Sequence, residues 1–152
     1  MAFLLSGLAA SEFEHLFGKS ETELKLEGAV RVAAGEGFPC RVTLRDAEPG
    51  EAVLLLTYEH QPGVTPYRSS GPIYVREGNH PTAVLDRIPD EMRGRLFSVR
   101  AYDAVHQMVD ADVAPGADLE TLIEALFSDP RASYLHVHHA RRGCFAFKVD
   151  RA

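Results

Sequence analysis

The residues whose types and spacing best suit chemistry are His136-Val137-His138-His139. Residues two apart in a strand project from one face. His136 and His138 therefore stand side by side, roughly 7 Å apart along the chain. Two neutral imidazoles so placed can share a divalent metal or divide the roles of acid and base. Cys144 completes the set if the hairpin closes through a three-residue loop, Arg141-Arg142-Gly143. Ala140 then pairs with Cys144, His138 lies opposite Ala146, and His136, His138 and Cys144 share a face. Glycine at the last loop position favours that register. A two- or four-residue loop turns the histidines toward Phe145 and Phe147 instead. Imidazole nitrogen and thiolate sulfur suit zinc, so His136, His138 and Cys144 are the candidate ligands of a zinc-like ion. The same three are the candidate catalytic residues, since a histidine beside a thiol favours the reactive thiolate. The plainer reading of the two histidines is a solvated polar strand face.

A second set of residues suits anions. The stretch from His60 to Pro72 is the longest without a secondary-structure signal, and such loops are often functional. It carries Tyr67, Arg68, Ser69 and Ser70. Arg100 lies on the polar face of a predicted strand, and Arg141 and Arg142 lie in the hairpin connection. Tyr67, Arg68, Arg100, Arg141 and Arg142 thus form a candidate ligand-binding set, arginine being the side chain that grips carboxylate and phosphate in pairs of hydrogen bonds. The chain has 13 arginines against 3 lysines, but it also has 19 alanines, and a GC-rich coding bias accounts for both. Cys40 follows Pro39 at a predicted strand start and reads as a small core thiol. Asp110 and Asp112 share a strand face but have no partner acid in sequence. Signature motifs of hydrolases, nucleotide-binding loops, zinc proteases and dithiol redox centres are absent from the sequence.

The elements that must position these residues can be read from periodicity and punctuation. Two short N-terminal helices are predicted, one after Ser11 with Glu14 and one after Ser20 with Glu23, each pair a capping box. Gly18 and Gly28 would end them. Phe13, Leu16, Phe17 and Leu24 are their buried residues. Strands are predicted at 31–33, 40–44, 52–58, 73–76, 96–102 and 108–113. Val53 to Leu56 reads as a central strand covered on both faces. Residues 118–127 are predicted to be a helix capped by Asp118, with Leu119, Leu122, Ile123 and Leu126 as its buried stripe. The hairpin 134–139 and 144–149 follows. Strand–helix alternation is missing, so the fold class is α+β, a largely antiparallel sheet with short N-terminal helices and one amphipathic helix before a C-terminal hairpin.

Composition bounds the function. The 152 residues suit a single globular domain, 1–152. A net charge of -6 argues against nucleic acid as a partner. No apolar run approaches the roughly 20 residues that span a bilayer, so no membrane association is expected. Residues 1–10 lack the basic start of a signal peptide, so a cytoplasmic location and reduced thiols are expected.

Several segments carry a resemblance. Phe38-Pro39-Cys40-Arg41-Val42 with Asp46 to Glu51 is one; Gly71 to Arg76 and Arg100 to Asp103 are others. His136-Val137-His138, Gly143-Cys144 and Val149 to Ala152 complete them. Together they resemble a family of small, single-domain bacterial proteins catalogued as a domain of unknown function. The resemblance spans nearly the whole chain and implies a bacterial, cytoplasmic protein. It implies no activity, cofactor or catalytic residue.

Three functions fit these residues. One is an enzyme acting on a small polar substrate through His136, His138 and a cysteine. Another is a binding module for a small anionic ligand, and the third is a protein–protein interaction domain without catalytic chemistry. The sequence favours binding or acting on a small polar or anionic ligand through a His/Arg/Cys-lined pocket. It does not decide between enzyme and binder.

Overall fold

The computed structural model describes residues 2–152. The chain runs β1 (Phe3–Ser6), α1 (Glu21–Leu26), β2 (Val30–Ala33), β3 (Ala52–Gln61), β4 (Ser69–Arg76) and β5 (Val84–Leu85). It continues with β6 (Leu96–Tyr102), β7 (Met108–Pro115), α2 (Leu119–Phe127), β8 (Tyr134–His139) and β9 (Phe145–Arg151). Six strands form one sheet in the order β5-β1-β9-β8-β6-β7, and β2-β3-β4 form a second. Every neighbouring pair in both sheets is antiparallel. The fold is a mostly antiparallel α+β arrangement, and no described helix is long and apolar enough to cross a membrane.

One face of the large sheet is apolar. Phe97, Val99, Leu135, Val137, Phe147 and Val149 are buried there with Leu119, Ile123, Leu126 and Phe127 of α2. Leu122 is only partly buried, so the stripe is narrower than its spacing predicts. Asp118 precedes α2 but makes no side-chain cap, because a single 3-10 turn leads into the helix. The small sheet buries Leu54, Leu56, Ile73 and Val75 beneath Phe13, Leu16 and Leu24. That burial accounts for β3 reading as a central strand.

The Ser20–Glu23 capping box is formed in full and starts α1. The Ser11–Glu14 box is not. Residues 10–16 make two 3-10 turns, with Ala9 rather than Ser11 at the first N-cap and no side-chain cap there. The segment 40–44 is a second departure. It is not a strand but a turn, with Leu44 at φ 55°. It is held by scattered bonds: Leu8 N to Arg41 O, Ala83 N to Val42 O and Arg41 N to Tyr74 O. Those bonds satisfy the backbone without a ladder, and they draw Arg41 inside. The loop expected at 60–72 is shorter than expected, since β3 runs to Gln61 and β4 starts at Ser69.

The C-terminal hairpin sets the site. Gly143 has φ 80°, the left-handed position expected of it. The loop nevertheless has four residues, because His139 N bonds Cys144 O and Gly143 N bonds His139 O. His138 pairs with Phe145, and a bulge then lets Val137 pair with Phe147. Cys144 is thus opposite His139, not Ala140, and it leaves the face that carries His136 and His138.

Candidate functional site

The polar face of the large sheet packs against the end of β3. On it, His136 pairs with Arg100 and with Lys148, and His138 with Ser98 and Phe145. Leu54, Leu56, Tyr58 and His60 alternate along β3, so His60 arrives on the face that meets the large sheet. The result is a cluster of three imidazoles. His60, His136 and His138 are 9%, 4% and 1% exposed. Each offers one ring nitrogen within 4.8 Å of the others. Phe145 packs at the centre, parallel to His60 at 5.5 Å and edge-on to His136 and His138.

Hydrogen bonding fixes the character of one ring. Nδ1 of His138 lies 2.9 Å from the Gly143 carbonyl, which can only accept, so this nitrogen carries the proton. Nε2 of His138 then presents a lone pair. That atom, Nδ1 of His136 and Nδ1 of His60 are buried without a hydrogen-bond partner. Burial is the main cause that pushes His136 down to about 3, with His138 and His60 adding to it. Burial likewise brings His138 to about 4, against the Gly143 bond that favours its charged form. His60 is lowered by burial and by Arg100. Burial thus shifts all three rings toward the neutral form, the protonation state in which imidazole binds metals.

A second cluster lies across the hairpin. Arg41, Arg95, His139, Arg141, Arg142 and Cys144 line a cleft of about 540 Å³, with Glu36 at its wall. Arg41 is only 2% exposed. Its Nε bonds the Phe145 carbonyl at 2.7 Å, Nη1 the Pro39 carbonyl, and Nη2 the Cys144 sulfur at 3.2 Å. None of these partners is a carboxylate. Burial pushes the guanidinium down from its ordinary value, and Cys144 opposes the shift. Arg95 pairs with Asp46, yet its Nη1 is buried without a partner. His139 Nε2 is also buried and unpartnered. Burial, then the charges of Arg41 and Arg95, push His139 to about 3.

The residues singled out from sequence therefore separate. His136 and His138 do meet, with His60 as the third member and Cys144 elsewhere. Arg141 and Arg142 are exposed and line the cleft beside Cys144. Arg100 sits with the histidines. Arg68 is exposed and already doubly bonded to Glu59, and the Tyr67 ring lies against Tyr102, so neither joins the arginine cleft. Cys40 is a core thiol, 1% exposed, accepting from the Arg76 N–H. Sequence reasoning missed His60, Arg41 and Arg95. The first was findable, because the alternation from Leu54 through Tyr58 extends to it. Arg41 gives no signal, since its inward path depends on bonds to Leu8 and Tyr74.

No curated protein and no solved structure significantly matches the chain. A family model, "Protein of unknown function (DUF1203)", matches residues 37–151. The matched span takes in the three histidines and every arginine of the cleft, leaves out Glu36 at the cleft wall, and excludes β1, α1 and β2. The histidine cluster and the arginines of the cleft thus lie within the portion that defines the family, and the chain belongs to the DUF1203 family of proteins of unknown function.

Proposed function

We propose that the chain binds a small anionic ligand, a carboxylate or phosphate, in the cleft beside Cys144. The observation that carries this reading is Arg41. A buried guanidinium without a counter-ion is costly, and its cost falls when an anion comes within reach. Arg141 and Arg142 add two exposed guanidinium groups to the same cleft and Arg95 a third that is paired with Asp46, against Glu36 as the carboxylate of the lining. Unpartnered donor capacity on Arg95 supports the same reading, since a ligand oxygen would satisfy it. A reducing, cytoplasmic setting goes with this reading, in keeping with Cys40 and Cys144 both being free thiols.

Calorimetric titration with inorganic phosphate and with succinate, at ionic strength matched with chloride, tests it. The expected result is saturable binding of at least one probe. It should weaken about tenfold or more in the Arg141→Ala plus Arg142→Ala variant, the loss expected when charge-assisted hydrogen bonds are removed. These arginines are exposed, so the fold should survive. Heat indistinguishable from that of chloride for both probes would refute the proposal, as would undiminished affinity in the double variant.

A further inference from the structure

The histidine cluster carries an inference separate from the arginine cleft. We propose that His60, His136 and His138 bind one divalent transition-metal ion of the zinc class, with an anion or hydroxide completing the coordination beside Arg100. Three observations support it. Each ring offers a nitrogen within 4.8 Å of one on each of the others, a spread that small ring rotations can close around an ion. Each ring also has a buried nitrogen without a hydrogen-bond partner. A buried polar atom without a partner costs roughly 1–3 kcal/mol, and a single ion would satisfy all three. Finally, the Gly143 carbonyl holds His138 through its other ring nitrogen. Metal-binding histidines are held in this way, with the far N–H donated to a backbone carbonyl or carboxylate so that the tautomer and ring plane are fixed.

The surroundings decide what the fourth position takes. Arg100 and Lys148 bear on His136 as positive charges, Arg100 and Arg41 on His138, and Arg100 on His60, while Glu59 is the acid that bears on His60. This field disfavours a bare cation. It favours a cation that carries an anionic ligand, and Arg100 pairs with His136 across the strands of the same face. Three neutral nitrogen donors leave the ion its full positive charge, and an open fourth position is the arrangement of zinc sites that activate water or polarise a bound anion. No sulfur donor is available here, because the four-residue loop turns Cys144 to the other side of β8.

Chelator-stripped protein should be titrated with Zn²⁺ against a chromophoric chelator and with Co²⁺ by visible absorption. One ion per chain is expected. The Co²⁺ form should show the strong visible bands of a four-coordinate site and no sulfur-to-cobalt charge-transfer band, and Cys144→Ser should leave the spectrum unchanged. His60→Phe keeps a ring stacked on Phe145 while removing the donor, so it should fold by circular dichroism. Its affinity should fall by more than about 100-fold, since loss of a ligand exceeds the 10–100-fold typical of an outer partner. Arg141→Ala plus Arg142→Ala should bind metal as wild type does, which separates this site from the anion cleft. Absence of stoichiometric metal in folded wild type would overturn the proposal. So would wild-type affinity in folded His60→Phe, or a thiolate band abolished by Cys144→Ser.

Discussion

Acidification of metal-free protein from pH 8 to 5.5 should remove much of its stability before carboxylates begin to titrate. The cause is the buried imidazoles. His136 and His139 sit near 3 and His138 near 4, against an ordinary value of 6.5. Between these values the unfolded chain holds protons that the native chain excludes. Stability is therefore complete above 6.5 and declines as pH falls below it, ceasing to fall only near the native values. Each excluded proton is worth about 1.4 kcal/mol per pH unit. At pH 5.5 the three rings together should cost about 4 kcal/mol relative to pH 8. That figure rests on the unfolded value of the imidazole and not on how far below 5 the native values lie. His60 acts in the same direction. A loss of about 4 kcal/mol is a large part of the 5–15 kcal/mol that holds a domain of ordinary stability. Urea unfolding at half-unit pH steps, with chelator present, measures it. A change below about 1 kcal/mol would show that the rings are solvated or already charged in the native protein, and would refute the burial argument.

Three further outcomes are expected. Ile123→Ala should cost roughly 2–5 kcal/mol by chemical denaturation, and Leu122→Ala distinctly less, because Ile123 is fully buried and Leu122 only partly; equal losses would place the α2 stripe wrongly. Native alkylation should modify Cys144 and spare Cys40, with both modified after unfolding; mass spectrometry showing Cys40 labelled in native protein would contradict its burial. Gly7→Ala and Gly116→Ala should each destabilise by about 1–3 kcal/mol or more, since a Cβ would collide with the carbonyls of Val42 and Met92; an unchanged melting temperature in either would mean that these backbones can separate freely.

Much of the fold was legible because it rests on local periodicity. The alternation at 96–102, the β-rich run at 52–58 and the 3.6-residue stripe of α2 each name their element and its buried residues. The strand at 134–139 was also legible, but its histidine face, which its polar residues suggest is solvated, is buried like the other. The failures share a cause. Residues 40–44 have a strand's composition, but Leu8, Tyr74 and Ala83 supply their backbone partners from three distant segments, and tertiary bonding overrides propensity. Ser11 has the spacing of a cap, but the chain enters the first turn two residues earlier, through Ala9. The candidate site was half legible. Period two identified His136 and His138, and nothing in the sequence could bring β3 across them. His60 was lost by assigning it to a loop, although it continues the face of Leu54, Leu56 and Tyr58.

The hairpin shows why alternation alone could not place Cys144. A three-residue loop and a four-residue loop followed by one bulge give the same pairing along most of the strands. In both, His136 lies opposite Lys148, and Val149 lies opposite Leu135. They differ only between the loop and the bulge. There the actual arrangement sets His138 against Phe145 and His139 against Cys144. The extra residue is absorbed at Ala146, so Phe147 still returns to the apolar face beside Val137 and Val149. Hydrophobic burial of Phe147 thus fixes the far register, while the left-handed Gly143 fixes the loop, and the bulge is where the two demands are reconciled. Its consequence is chemical. Phe145 goes to the histidine face as the ring on which His60 stacks, while its carbonyl accepts from Arg41. Cys144 goes to the arginine cleft. One unpaired residue in a strand therefore separates nitrogen donors from the thiol, and the same hairpin serves two sites of different chemistry.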